Sequence, residues 1–292
     1  LHQITFRGNI SNAGSLLFFN SVSSLVNTTL DGTSISISGA GNFSFANFTL
    51  SATTTTSVTL NASVTVNGSV NLGNSCTLND GGLTHFVSGD WTETGTGQLT
   101  GTGTIEFNSI TTVQNISSAS GITFNNLRLN MTGGTALFQA TVTINGNLTV
   151  LGSTAGLYNG ATHTINGDII VDASGLLDHI TGTLIFGASA KTQLIPSVNC
   201  NYNNLTFSNG GIAFPKTLDG DVVINGSLTI NSGAQVNSTG DLTVQSGINQ
   251  NGICNFTGSI TFVGSGQNVN SNQSNPNLGT AALISSISGG SL

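Results

Sequence analysis

Basic residues are the scarcest feature of the chain: four Lys and Arg in 292 residues, against eleven Asp and Glu. Phosphate backbones are bound by clustered cations, so a nucleic-acid partner is excluded. Charge of either sign is rare, at 5% of residues where a soluble domain carries about 25%. The net charge of −7 therefore reflects missing bases rather than abundant acids. No apolar run approaches the ~18 residues of a membrane-spanning helix, so no membrane span is expected. Cys76, Cys200 and Cys254 are too few for a disulfide framework and read as buried free thiols. The chain starts at Leu1 with no basic segment leading into an apolar one, and is expected to be a processed or excised piece of a longer polypeptide. Helix-forming composition is missing as well. Gly, Asn, Ser, Thr, Val and Ile dominate, with 39 glycines and three prolines, which argues against a helical bundle.

What is present is order. Hydrophobic residues make up 37% of the chain, too many for a disordered one. They alternate with polar residues over short runs, as in Ser63–Val70 and Thr141–Val150, the period of strands. Asn-x-Ser/Thr sequons recur, at Asn47, Asn67, Asn130, Asn204 and Asn255 among others, and composition accounts for most of them.

Internal similarity is the strongest signal. Phe45–Leu50, Phe124–Leu129 and Tyr202–Phe207 match one another. So do Val64–Val70, Val142–Leu148 and Val222–Leu228, and again Gly103–Phe107, Gly182–Phe186 and Gly258–Phe262. The three markers return in the same order about every 78 residues. Gly14–Phe18 reads as the tail of an earlier copy. Inside the super-repeat, Gly68 and Gly89, and Gly146 and Gly167, mark a spacing of about 21 residues within apolar-x-Gly-polar-apolar frames. The third copy is irregular, with Asn225-Gly226 and Thr239-Gly240 closer together.

Three short strands per ~20 residues, separated by Gly/Asn/Ser/Asp turns, make one coil of a parallel β-solenoid. The fold expected is therefore all-β, a right-handed parallel β-helix of about 14 coils. The whole chain, 1–292, forms one segment: a partial repeat at 1–44, super-repeats at 45–123, 124–201 and 202–263, and an irregular end at 264–292. A string of small β-sandwiches is the rival, but it has no place for the shorter subperiod. Stacking explains the low charge, because like charges repeated in register repel and neutral Asn, Ser and Thr do not. The glycines are expected where turns need left-handed backbone.

The blocks Gly101–Phe107, Ile122–Leu127 and Val142–Val150, with Gly182–Phe186, Asn203–Leu205 and Val222–Ile230, resemble repeat regions of large secreted surface proteins of Bacteroidota. The resemblance covers about residues 45–262 and implies β-helical stalks or adhesin-like modules, exported across the outer membrane. It carries no catalytic motif.

Candidate chemistry is sparse. Asp219 and Asp221, two apart around Gly220, are the metal candidates: extended, both carboxylates would share a face and could hold a calcium ion. Lys216 nearby would serve as a lyase-like base, though solvated aspartates at a Gly turn are the plainer reading. Asp168, Asp172 and Asp178 are the other acids that folding could gather. Asp90 with Asp168, and His85 with His163, occupy equivalent frame positions and are expected about four coils apart, too far to act together. Both histidines are expected in the core or at its rim, in the column of Val64, Val142 and Val222. Trp91 is expected to point inward rather than serve as a sugar platform. Thr53–Thr56, Thr141/Thr143 and Thr162/Thr164 resemble the threonine ladders of ice-binding solenoids, on columns that break elsewhere.

The function expected is non-catalytic: an extracellular or cell-surface β-solenoid, structural or adhesive, with no cofactor. Its partners would be surface glycans or other cell-surface proteins, adjoining segments of the same polypeptide, or copies of itself. The alternatives are a carbohydrate-active β-helix enzyme, lyase or hydrolase, and an ice-binding solenoid.

Overall fold

A computed structural model describes residues 2–18, 26–51, 55–110, 113–152, 155–156, 160–264, 268–271 and 277–286. Among these residues every regular element is a strand, and the strands pair in parallel as a β-solenoid of about 12 turns. The count is slightly lower than the 14 expected, and register steps between stacked strands are uneven. The step from Gln235 to its partner Ile253 is short, and that from Trp91 to Ile116 is long. The chain divides into two compact units, Leu1–Asn145 with Leu151–Ala155, and Gly146–Val150 with Gly156–Leu292.

In the N-terminal unit the strands build three ladders. The first runs through His2–Phe6, Val26–Leu30, Asn47–Leu50, Val70–Leu72, Trp91–Glu93, Val113–Ser118 and Thr135–Phe138. The second runs through Ile10–Ser11, Ile35–Ser38, Ser57–Leu60, Thr77–Asn79 and Gln98–Thr100, and stops there. Ile122–Phe124 pairs instead with Val142–Ile144. The third runs through Ser15–Leu17, Asn42–Phe45, Val64–Val66, Thr84–Val87, Thr104–Phe107 and Asn126–Met131. In the C-terminal unit the long strands Leu177–Phe186 and Cys200–Phe207 each serve two ladders, with a register shift between His179 and Thr183. A further ladder joins Gln193–Pro196, Lys216–Asp219, Gln235–Ser238 and Ile253–Phe256.

Alternation decides what is inside. In Asn42–Phe45 and Asn47–Leu50 the Phe and Leu side chains are buried while Ser44 and Thr49 face outward. Each coil has one apolar side per strand, and only stacking closes the core. Trp91, 1% exposed, sits in that core with its ring edge-on to Phe107 and Phe124, at centroid distances of 6.3 and 5.7 Å.

Two expectations need correction. Markers equivalent in sequence do not stack. Val64–Val66 belongs to the third ladder of its unit, whereas Val142–Ile144 pairs with Ile122–Phe124. In the C-terminal unit, Gly182–Phe186 pairs with Thr162–Ile165 and Asn204–Phe207, but Ser259–Val263 pairs with Leu242–Val244 and Ala282–Ser286. Val64, Val142 and Val222 are therefore no column, and the super-repeat is not a whole number of coils. Val142–Ile144 is the eleventh strand after Val64–Val66, one short of four complete three-strand coils.

Glycines such as Gly81, Gly182 and Gly220 do take the left-handed backbone expected, but the frame glycines do not. Gly68, Gly89, Gly167, Gly226, Gly240 and Gly258 all lack positive φ. Coils stack corner on corner at these positions. A Cβ on Gly240 would collide with the Gly220 carbonyl oxygen, and one on Gly258 with that of Gly240. Gly240→Ala is expected to cost about 1–3 kcal/mol by forcing adjacent coils apart. Its midpoint of urea unfolding should fall at unchanged slope; an unshifted midpoint would refute the close-approach explanation.

Candidate functional site

Asp219 and Asp221 flank the turn at Gly220. Strand Lys216–Asp219 alternates in burial, with Lys216 and Leu218 inward and Asp219 exposed, opposite Pro196. Gly220 turns the chain at φ +85°. The Asp221 Oδ1 then accepts the Asp241 N–H at 2.8 Å, and the Asp241 Oδ1 accepts the Ser259 N–H at 2.8 Å. These carboxylates continue the corner stacking where backbone pairing lapses. The bonds from Ser259 hold the Asp241 carboxyl below its usual range. Among the described residues, no three His, Cys, Asp or Glu side chains come together as a metal site.

Lys216 lies three positions from Asp219 and so points to the opposite side of its strand. It is fully buried, its Nζ donating to the carbonyls of Ala188 and Phe214, and burial lowers its pKa. No lyase-like pair with Asp219 forms. The other acids are engaged separately. Asp168 pairs with Lys191 at 2.6 Å, Asp172 caps its own turn at Ser174 and Gly175, and Asp178 accepts from Asn201. Asp90 and His85 lie in the N-terminal unit, Asp168 and His163 in the other.

The histidines are structural. In buried His85, Nδ1 accepts the Val64 N–H at 3.2 Å and Nε2–H donates to the Asp80 carbonyl at 2.8 Å. Burial lowers its pKa despite those partners. His163 has a neighbour the sequence did not announce: His179, its ring 6.0 Å away and edge-on. Both are fully buried, and burial pushes each down to about 4. The cysteines are free thiols, Cys76 and Cys254 buried and Cys200 half-buried. Burial raises Cys200 to about 11 and Cys254 to about 12.

Buried Gln114 and Gln193 were also missed. Gln114 Nε2 donates to the carbonyls of Val87 and Gly89, and its Oε1 accepts the Ser109 N–H. Gln193 repeats this with Ile165, Gly167 and Ala188. A signal existed: each glutamine follows its repeat marker, Phe107 or Phe186, at the same spacing.

The surface that could engage a partner is the outer face of the first ladder in the N-terminal unit. Thr5, Thr29, Thr49, Asn71, Thr92 and Ser117 stand in one register row, spaced by the ~4.8 Å between strands. Beside it runs a row bonded within itself. Asn47 Nδ2 donates to Asn27 Oδ1 (2.6 Å), Ser69 N–H to Asn47 Oδ1 (2.8 Å), Asp90 N–H to Ser69 Oγ (3.3 Å) and Asn115 N–H to Asp90 Oδ1 (2.7 Å). The inner row locks the corner, and the Thr/Asn row faces a shallow groove of about 390 Å³. This row is not among those expected from the sequence, because its register steps are unequal: Thr29 to Thr49 is a shorter step than Thr92 to Ser117. Of the threonines Thr53–Thr56 expected in a ladder, Thr53 and Thr54 lie outside the described residues, Thr55 is exposed and Thr56 is buried.

Compared with protein-family models, curated proteins and solved structures, the chain matches none.

Proposed function

We propose that the chain is a non-catalytic β-solenoid module of an extracellular or cell-surface protein, structural and adhesive, whose partners are surface glycans. The observation that carries this reading is the Thr5–Ser117 row. It presents hydroxyl and carboxamide groups at a fixed repeat on a rigid sheet, with no base and no apolar platform among them. Such groups exchange hydrogen bonds with sugar hydroxyls weakly one at a time, and strongly when many engage together. The scattered engagement of the acids gives a hydrolase or lyase no support.

The test is co-sedimentation of the chain with insoluble and surface polysaccharides, with and without calcium, with reducing ends assayed in the same tubes. Binding without product release is expected. Replacing Thr29, Thr49 and Thr92 together by Val keeps strand propensity and removes three hydroxyls, so binding should weaken about tenfold or more. Release of reducing ends would convert the reading to an enzyme, and absence of binding to a plain spacer. A calcium requirement would point back to Asp219 and Asp221.

A further inference from the structure

The second ladder of the N-terminal unit is interrupted at one place. Gln98–Thr100 pairs with Thr77–Asn79 on one side, and Ile122–Phe124 pairs with Val142–Ile144 on the other. Among the described residues no ladder joins Gln98–Thr100 to Ile122–Phe124, although they are the strands of successive coils. The chain length available explains the gap. From the first ladder to the third, the coil beneath travels from Trp91 to Thr104. The coil above travels from Ile116, which pairs with Trp91, to Asn126, which pairs with Thr104, and has fewer residues for the same span. The two strands remain close neighbours, but the shorter path does not take up the ladder hydrogen bonds of the strand below it.

Parallel strands turn successive peptide groups to alternate sides. The Gln98 N–H donates to Cys76 and the Thr100 carbonyl accepts from Asp80, so the peptide groups of Leu99 face the gap. On the opposite edge the Ile122 N–H donates to Thr141 and the Phe124 carbonyl accepts from Asn145, so those of Thr123 face it too. Two cavities, of about 290 and 230 Å³, open here and share Leu99 and Thr123 as walls; they are the two ends of one slot. The larger end is lined by residues that include Glu93, Thr96, Gln98, Leu99, Ser120 and Thr123. Glu93, 3% exposed, takes the Trp91 Nε1–H at 3.1 Å and the Leu99 N–H, holding the open edge.

We propose that this slot is a binding site for a single neutral sugar residue, whose hydroxyls donate to the Glu93 carboxylate and exchange hydrogen bonds with Thr96, Gln98, Ser120 and Thr123. The chemistry of the lining selects the class. Among the described residues of this wall there is no Lys, Arg or His to hold an anion, and Leu99 is the one apolar side chain, too little for a hydrophobic ligand. Calcium takes six to eight oxygens and usually several carboxylates, whereas this end supplies one. The volume lies below the ~300 Å³ at which pockets begin to admit drug-sized molecules, so one sugar unit fits and a longer chain does not. The site is distinct from the outward Thr/Asn row, so either assignment can fail without the other.

Burial raises the Glu93 carboxyl to about 7, which gives the site a pH signature. An ionised carboxylate accepts hydroxyl protons best, so binding strengthens as pH rises from 6 to 8. Asp80, at the far end of the slot, is the other titratable side chain among the described residues of its walls.

The experiment is saturation-transfer NMR and calorimetric titration of the whole chain with methyl glycosides of neutral hexoses and N-acetylhexosamines, at pH 6, 7 and 8. Expected is millimolar binding of at least one glycoside, tightening with pH. Glu93→Gln, which still accepts from Trp91, should weaken it about tenfold and flatten the pH dependence. Thr123→Val, at an outward position that leaves the core untouched, should weaken it several-fold. The Thr29/Thr49/Thr92 variant should bind the glycoside as well as the parent does. The assignment is overturned if no glycoside binds, if Glu93→Gln and Thr123→Val bind like the parent, or if calcium chloride alone saturates the site and excludes glycosides.

Discussion

Acidification from pH 7 to pH 4 is expected to remove about 6 kcal/mol of stability from the C-terminal unit, through His163 and His179. Both sit in the core with their rings 6.0 Å apart, and burial lowers each from 6.5 to about 4. The unfolded chain protonates them near 6.5, the folded chain only near 4. Stability is therefore complete above about pH 7, falls as pH drops from 6.5 to 4, and is level below that. A shift of about 2.5 pH units corresponds to about 3 kcal/mol for each ring. Glu93 in the N-terminal unit acts with the opposite sign. Its folded pKa of about 7 stands above the unfolded 4.5, so it adds stability as pH falls through 7 toward 4.5.

The measurement is a set of urea unfolding curves at pH 7, 5.5 and 4 for the parent, His179→Leu, and His163→Leu with His179→Leu. Neither ring nitrogen of His179 has a hydrogen-bond partner, so its replacement by Leu should stabilise the protein at every pH. It should also remove about half of the acid sensitivity. An acid response unchanged in the double variant would show that other groups carry it.

The second large effect is expected at Gln193. Replacement by Leu leaves the Ile165 and Gly167 carbonyls and the Ala188 N–H without the side chain that now serves all three. A buried polar group left unpaired costs about 1–3 kcal/mol, and the Ile165 carbonyl keeps its bond from Gly187. The total expected is about 2–5 kcal/mol. Gln114→Leu should show a loss of the same order in its own unit, for the same reason at Val87, Gly89 and Ser109. Two variants with near-native midpoints would mean that the corners tolerate open carbonyls and that these glutamines are not structural.

Much of the fold was legible in the residues themselves. Alternation in runs such as Val64–Val66 and Leu228–Ile230 sets which side chains are buried, because side chains of a strand point to opposite faces by turns. The same parity places Lys216 and Asp219 on opposite sides, which argues against a paired base and acid from the residue spacing alone. Trp91 falls at an inward position of its frame, and the structure has it in the core. Recurrence of the Gly frames specifies a coil, because a coil cannot bury its apolar side unless another stacks on it.

What only the tertiary structure decided is how coils register on one another. The super-repeat is one strand short of four complete coils, so Val64 and Val142, alike in sequence, go to different ladders. The polar row, the histidine pair and the slot beside Glu93 all arise between neighbouring strands, at steps that no fixed period describes. Local residue pattern determines the direction in which each side chain points. Which side chain it then meets depends on the length of every turn in between, and that sum is settled only when the coils close on a common core.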